Sequence, residues 1–231
     1  EALIGPDDEV IMPTPCWVSY VEMVKIAEGK SVLVKTTMEN NFCLTAEQLE
    51  AAITPQTKLL MLCSPNNPTG SVYSYENLKA IVEVLKRHPQ VNVLADEIYQ
   101  HILYTGKHET LAQFPELEDR LIIINGVSKA YAMTGYRIGW LATHDKELLT
   151  AVKRLQGQTI SCATTIAQKA AEAAYAGPQE CVEEMRQAFE RRRNLIVGLA
   201  KEIPGMKVLE PQGAFYLFPD VSAFFGKQYN G

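Results

Sequence analysis

Short apolar runs alternate with polar or amphipathic stretches over the first 143 residues of the chain. The runs are EVIMP (9–13), SVLVKT (31–36), TKLLMLC (57–63), VNVLA (91–95), LIIING (121–126) and IGWLAT (138–143). Each has the length of a strand, and residues 74–88, between two of them, show the helical spacing of apolar side chains. Such alternation is typical of sheets whose strands run mostly in parallel. The pattern therefore predicts an α/β fold with a mostly parallel, mixed sheet and flanking helices.

Helix signals mark two further parts of the chain. Thr45 and Gln48 form a capping box that opens a helix over AEQLEAAI (46–53), and Pro55 is expected to stop it. From 145 to about 203 the pattern is helical throughout, and 178–203 predicts a long helix that bridges two domains. After it, MKVLE (206–210) and AFYLFPD (214–220) predict two strands of a smaller α+β domain. The expected organisation is a large domain over 1–190, followed over 191–231 by the bridging helix and the beginning of the small domain.

Composition excludes several classes of partner. The net charge is -5 and no dense Lys/Arg run occurs, so no nucleic-acid partner is expected. No apolar stretch approaches the ~20 residues of a membrane helix, and the start EALIGPDDEV lacks the basic and apolar segments of a signal peptide. A soluble, cytoplasmic protein is therefore expected. The five cysteines are widely spaced and form no CxxC pair, so we expect reduced thiols. No HExxH motif occurs either, and we expect no metal site.

Polar, turn-prone segments follow three of the apolar runs. They are SPNNPTG (64–70), DEIY (96–99) and VSKAYAMTGYR (127–137). In open α/β sheets the ligand crevice lies outside the carboxyl ends of the strands. The chemistry-bearing side chains of these segments are therefore expected to converge on one crevice, and they are Asn67, Asp96, Tyr99, Lys129 and Arg137.

Each of these residues also has an ordinary structural explanation when it is taken alone. SPNNPTG is a common proline-glycine turn, and Asp96 could cap a helix. Lys129 could be a solvated surface residue, Arg137 an ion-pair partner, and Trp17 a core residue. Their joint occurrence, in this order and near strand ends, favours a functional site.

The phosphate chemistry narrows the possible ligands. The chain has no GxxxxGK[ST] loop, and no GxGxxG follows the first strand, so neither a nucleoside-triphosphate nor a dinucleotide site is indicated. A phosphate could still be held by the Arg137 guanidinium, the Ser128 hydroxyl and a helix N-terminus. A lysine amine, a carboxylate and a phosphate-binding arginine in one pocket are what pyridoxal phosphate (PLP) requires.

Four motifs carry a resemblance to a known family. SPNNPTG, ADEIY, SKAYAMTGYRIGW and PQGAFYLFPDVS resemble the motif series of class I aminotransferases, which are fold-type I PLP enzymes, and most closely the bacterial aspartate aminotransferase subgroup. The resemblance runs from about residue 2 to about residue 224. It implies a PLP-binding large domain and a homodimer. It also implies transfer of an amino group from an L-amino acid, with aspartate expected, to a 2-oxo acid such as 2-oxoglutarate.

The resemblance also implies a role for each site residue. Lys129 would carry PLP as a Schiff base and shuttle the proton of the substrate α-carbon, and Asp96 would pair with the pyridine nitrogen. The remaining roles are hydrogen bonds to the phenolic oxygen from Asn67 and Tyr99, phosphate binding by Arg137 and Ser128, and stacking on the ring face by Trp17. The family often has serine where this chain has Gly126, which leaves the role of Ser128 open, and Cys16 stands where many relatives have tyrosine.

Family members extend further than this chain in both directions. Their additional segments supply a phosphate-binding loop, a tyrosine lent to the partner subunit, and an arginine that grips the substrate carboxylate. We therefore expect the chain in isolation to be weakly active or inactive. Two alternatives share the fold: a PLP-dependent carbon-sulfur lyase, and an aminotransferase-like effector domain of a transcription regulator.

Overall fold

The structure is a computed structural model that describes residues 1–228, and its centre is a six-stranded sheet. The strands are β1 (Glu9–Thr14), β2 (Lys30–Lys35), β3 (Thr57–Cys63), β4 (Asn92–Asp96), β5 (Leu121–Gly126) and β6 (Gly139–Thr143). Their order is β2-β1-β3-β4-β5-β6. The first five strands are parallel, and β6 runs antiparallel to β5. The predicted mostly parallel, mixed sheet is confirmed, and all six apolar runs form its strands.

Six α-helices accompany the sheet in the described part of the chain. They are α1 (Ser19–Ile26), α2 (Ala46–Ala52), α3 (Tyr75–Leu85), α4 (Lys146–Thr159), α5 (Thr165–Ala176) and α6 (Glu180–Lys201). The predicted capping box opens α2: the Gln48 amide N–H donates to Thr45 Oγ1 at 3.2 Å, and the Thr45 amide N–H donates to Gln48 Oε1 at 3.1 Å. The expected helical region after residue 145 is present as α4, α5 and α6.

Helix α3 ends at Leu85, three residues before the predicted end at 88. The Arg120 guanidinium accounts for the local geometry, because it donates to the carbonyls of Leu85, His88 and Val91 at 2.8–2.9 Å. The Leu85 and His88 carbonyls also accept hydrogen bonds from the His88 and Val91 amides, at 3.0 and 3.1 Å, so the chain leaves the helix through tight turns. Pro89 also disfavours the helical conformation of the residue before it.

The two faces of the sheet pack against different helices. In β1, Ile11 faces a core shared with α2 and α3, whereas Val10 and Met12 face a core shared with α1. Strand β3 alternates in the same way, so that Cys63 lies on the α1 side with Tyr20. Side chains on successive residues of a strand point to opposite faces. The period-two pattern thus decides which strand-end side chains share a face.

The two strands predicted over 206–210 and 214–220 are not formed. Within residues 1–228 these segments make only isolated bridges, between Lys207 and Asp220 and between Leu103 and Gly213. The start of the second segment instead bonds to loops that follow the sheet strands: the Ala214 amide donates to the Ile102 carbonyl at 2.8 Å, and the preceding Gly213 amide donates to the Gly70 carbonyl at 2.9 Å. Ala214 has a left-handed φ of 56°, which a strand does not tolerate. Backbone groups used in this way are not available for a ladder.

None of the helices over residues 1–228 combines the length and the apolar character needed to cross a bilayer. All five cysteines have free thiols. Burial raises the pKa of the Cys43 and Cys63 thiols to about 12.

Candidate functional site

The strand order creates a crevice at the carboxyl ends of the central strands. From β1 the chain crosses to β2 on one side, and it then returns to β3 on the other side and continues through β4 and β5. Such a reversal of winding direction is where open α/β sheets bind ligands. A cavity of about 310 Å³ lies here and is called the strand-end cavity below. Its lining includes all seven predicted site residues: Trp17, Asn67, Asp96, Tyr99, Ser128, Lys129 and Arg137.

Asp96 is the last residue of β4, and both of its carboxylate oxygens accept a hydrogen bond. The Tyr20 hydroxyl donates to Oδ2 at 2.5 Å, and the Ile98 amide N–H donates to Oδ1 at 3.1 Å. Burial raises the pKa of Asp96, whereas these two hydrogen bonds oppose the rise by stabilising the ionised form. No lysine or arginine of residues 1–228 forms a salt bridge with Asp96. A partly buried carboxylate that has hydrogen-bond donors but no cationic partner favours a cationic ligand.

Lys129 lies in the segment that follows β5, and it lines the strand-end cavity. Its Nζ is 5.8 Å from the centre of the Tyr99 ring and 5.8 Å from the centre of the Phe215 ring. The side chain is half-buried, and over the described residues it makes no ion pair with a carboxylate. Lys129 is therefore not the solvated surface lysine that its sequence context alone would also allow.

Tyr99 is buried beside Lys129 and is paired with a second tyrosine. The hydroxyl oxygens of Tyr99 and Tyr216 are 2.6 Å apart, and either can donate. Burial, followed by the hydrogen bond with Tyr216, raises the pKa of Tyr99. The Tyr99 hydroxyl therefore keeps its proton near neutral pH and can act as a donor.

The other predicted residues form the more exposed part of the lining. Trp17 is 40% exposed, so it is not a core residue, and it packs edge-on against Tyr20 with ring centres 5.4 Å apart. Arg137 is exposed and donates from Nη1 to the Thr134 carbonyl at 2.7 Å. It forms no ion pair with an acidic side chain in the part of the chain that the structure describes. Its guanidinium therefore keeps donors for an anion.

Gly126, where the family often has serine, lies directly opposite Gly139 in the β5–β6 pair. A Cβ atom at Gly126 would be 2.9 Å from the Gly139 Cα and 3.0 Å from the Ile138 carbonyl oxygen. Position 126 is therefore restricted to glycine by the close approach of two strands. Ser128, two residues further on, lines the cavity and remains the nearby hydroxyl.

Two tyrosines of the site were not identified from the sequence. Tyr20 hydrogen-bonds Asp96, and Tyr216 hydrogen-bonds Tyr99. Tyr20 lies three residues after Trp17, a spacing that places two side chains on one helical face, and this was the available signal. Tyr216 lies within the motif PQGAFYLFPDVS, but no local pattern indicates its partner.

The donor set fits a phosphorylated aldehyde cofactor with a cationic ring better than a metal ion. It combines one amine, one partly buried carboxylate, neutral hydroxyl donors and an exposed guanidinium. No group of three or more His, Cys, Asp or Glu side chains within residues 1–228 is arranged to hold a metal. PLP uses a lysine amine for the Schiff base and a carboxylate partner for the ring nitrogen, and the lining offers both beside a guanidinium that suits a phosphate.

Comparisons with known proteins agree with this chemistry. The family model for "Aminotransferase class I and II" matches residues 1–226. Aspartate aminotransferase of Geobacillus stearothermophilus is 50% identical over 222 residues, which are 95% of this chain and 56% of that protein. The aspartate/prephenate aminotransferase of Cereibacter sphaeroides is 48% identical over 232 residues, which are 100% of this chain and 58% of that protein.

A solved structure shows the same relationship in three dimensions. The crystal structure of the aspartate aminotransferase from Rhizobium meliloti superposes with a TM-score of 0.92 at 47% identity, and the match covers 94% of this chain and 55% of that chain. The chain thus spans about half the length of the relatives that it matches. With its sheet topology, its motifs and these matches, the chain belongs to the class I and II aminotransferase family.

Proposed function

We propose that the intact protein, meaning the whole protein that contains this chain, is a PLP-dependent aminotransferase of the aspartate aminotransferase type. It would transfer the amino group of an L-amino acid, aspartate first, to a 2-oxo acid such as 2-oxoglutarate. One observation carries the proposal: Lys129, Asp96 and Tyr99 line one cavity at the carboxyl ends of the strands, in a chain 50% identical to an aspartate aminotransferase.

PLP, when bound, supplies a cationic ring that accepts the electron pair left on the substrate α-carbon when its proton departs. The Lys129 amine would hold the cofactor covalently, and the same Nζ would take and return that proton. The Asp96 carboxylate would bind the ring nitrogen and keep it protonated. Two observations support this role: both Asp96 carboxylate oxygens accept a hydrogen bond, and the carboxylate has no salt-bridge partner in residues 1–228.

The remaining residues would orient the cofactor. Tyr99 and Asn67 would donate hydrogen bonds to its phenolic oxygen, and the contact with Tyr216 fixes the Tyr99 hydroxyl in the cavity. Arg137 and Ser128 would bind the phosphate, which suits the planar guanidinium. Trp17 would cover the ring face, an aromatic contact worth about 1 kcal/mol beyond burial.

The names of the relatives favour transamination over the alternatives of a carbon-sulfur lyase and a regulator domain. We further propose the domain division at about residue 190, a cytoplasmic location and a homodimer. Since the chain spans about half the length of its relatives, parts of the substrate site would come from outside it. The chain by itself is then expected to transaminate weakly or not at all.

The decisive experiment compares the visible absorption spectra of the intact protein and its Lys129→Ala variant after incubation with PLP and gel filtration. The control is Lys79→Ala, which removes an exposed lysine of α3. We expect a Schiff-base band in the wild type and the control and none in Lys129→Ala. Aspartate should then shift the band while oxaloacetate is released. A Schiff-base band that persists in Lys129→Ala, or release of ammonia without amino transfer, would overturn the proposal.

A further inference from the structure

We infer that Tyr20 is a positioning residue of the strand-end cavity, whose single side chain holds both the Asp96 carboxylate and the Trp17 ring in place. The inference rests on the proposed function and deepens it. Tyr20 lies beside both residues, and it was assigned no role by the sequence motifs. It contacts Asp96 through its hydroxyl and Trp17 through its ring edge.

The hydroxyl limits the rotation of the carboxylate. Tyr20 holds Oδ2 of Asp96 at 2.5 Å, and the Ile98 amide holds Oδ1 at 3.1 Å. Each ionised carboxylate oxygen can accept about two hydrogen bonds, so an acceptor site remains on each for a ligand in the cavity. With only the Ile98 contact, the carboxylate could rotate away from the ring nitrogen.

The ring of Tyr20 supports Trp17. The centres of the Tyr20 and Trp17 rings are 5.4 Å apart and the ring planes are inclined by 83°, an edge-to-face arrangement that is favourable for aromatic pairs. The backbone strengthens the link, because the Tyr20 amide N–H donates to the Trp17 carbonyl at 3.1 Å. Trp17 is 40% exposed, whereas Tyr20 is only 6% exposed. The buried tyrosine is thus the rigid member of the pair.

The electrostatics of the pair point in the same direction. Burial raises the pKa of Asp96, and the Tyr20 hydroxyl counteracts this by stabilising the ionised carboxylate. Burial, followed by the nearby Cys63 and Asp96, raises the pKa of Tyr20, so the phenol stays neutral and keeps its proton to donate. The other titratable groups that act on Asp96 are Glu97, which opposes ionisation, and Lys129, which favours it. Among the side chains of residues 1–228, only that of Tyr20 makes a direct hydrogen bond to the carboxylate.

The test uses the intact protein with Tyr20→Phe, which removes the hydroxyl and retains the ring, and Tyr20→Leu, which removes both. The control is Tyr73→Phe. Tyr73 is also buried, its hydroxyl accepts a 2.9 Å hydrogen bond from the Leu44 amide, and it is not among the residues that line the strand-end cavity. Two quantities are measured for each protein: the dissociation constant for PLP, and the pH titration of the Asp96 carboxyl carbon by NMR in the cofactor-free protein.

We expect Tyr20→Phe to weaken PLP binding on the order of tenfold, the effect of losing one hydrogen bond to a charged group. The Asp96 titration should move to higher pH in the same variant. Tyr73→Phe should change neither quantity, and Tyr20→Leu should weaken PLP binding further through the loss of support for Trp17. In the double variant Tyr20→Phe with Asp96→Asn, affinity should fall no further than in Asp96→Asn alone.

Unchanged affinity and an unchanged Asp96 titration in Tyr20→Phe would overturn the inference, as would additive losses in the double variant. A wild-type protein that retains no PLP through Lys129 would overturn the proposed function instead. The NMR titration separates these two failures, because it measures the contact between Tyr20 and Asp96 without the cofactor.

Discussion

Replacing Gly70 by alanine should displace the segment that carries Tyr216. Gly70 has a left-handed φ of 68°, and a Cβ atom on it would be 2.5 Å from the Pro211 Cβ and 2.9 Å from the Gly213 carbonyl oxygen. The left-handed conformation costs alanine about 1 kcal/mol, and overpacking against Pro211 adds about 1–3 kcal/mol. We therefore expect the free energy of unfolding to fall by about 2–4 kcal/mol.

The matched control is Gly106→Ala. Gly106 has the same φ of 68°, but a Cβ atom there would meet no atom within 4 Å. This variant carries the backbone strain without the collision, so it should lose only about 1 kcal/mol. The difference between the two variants measures the contact between loop 64–70 and segment 211–214.

Urea unfolding of the intact protein is the assay, with the midpoint compared at an unchanged m-value. The dissociation constant for PLP should also rise in Gly70→Ala and not in Gly106→Ala, because the Tyr216 hydroxyl would move away from Tyr99. Equal destabilisation of the two variants would refute the reasoning, since strain alone would then account for the whole effect.

Three further predictions concern the site and its strands. Asp96→Asn should stabilise the cofactor-free protein. Burial raises the pKa of Asp96, so the folded protein favours the protonated carboxyl more than the unfolded chain does. The contribution of the protonated carboxyl to stability is complete below the unfolded pKa of about 3.9 and is lost as the pH rises through the folded pKa. Thermal unfolding should thus show a gain that grows from about pH 4 upwards, and a gain confined to acid would contradict it. Gly126→Ser should lower the free energy of unfolding, measured by urea unfolding, by about 1–3 kcal/mol, because the serine Cβ would collide with Gly139. An unchanged free energy of unfolding would show that β5 and β6 can move apart at no cost. Tyr216→Phe should cost about 1 kcal/mol in the same assay, since the Tyr99 hydroxyl loses its partner, and an unchanged midpoint would argue against that contact.

The sheet could be predicted from the sequence because its signals are local. Each strand is a short apolar run bounded by polar residues, and the capping box at Thr45 and Gln48 needs only neighbours in the chain. Convergence of the predicted site residues also followed from a general property of parallel strands, whose carboxyl ends lie at one edge of the sheet. One contact at the end of α3 has no local signal, because the Arg120 side chain, 35 residues further along the chain, donates to the Leu85 carbonyl.

The sequence by itself therefore determined the fold class, the strand positions and the side chains that meet at the strand ends. Tertiary structure alone decided which partners those side chains have: Tyr20 reaches Asp96 across 76 residues of chain, and Tyr216 reaches Tyr99 across 117. It also decided that segment 211–214 bonds to loops instead of forming a strand. The physical reason is the range of the interactions. Apolar periodicity and capping act between near neighbours, whereas a hydrogen bond between distant residues exists only once packing has brought them together.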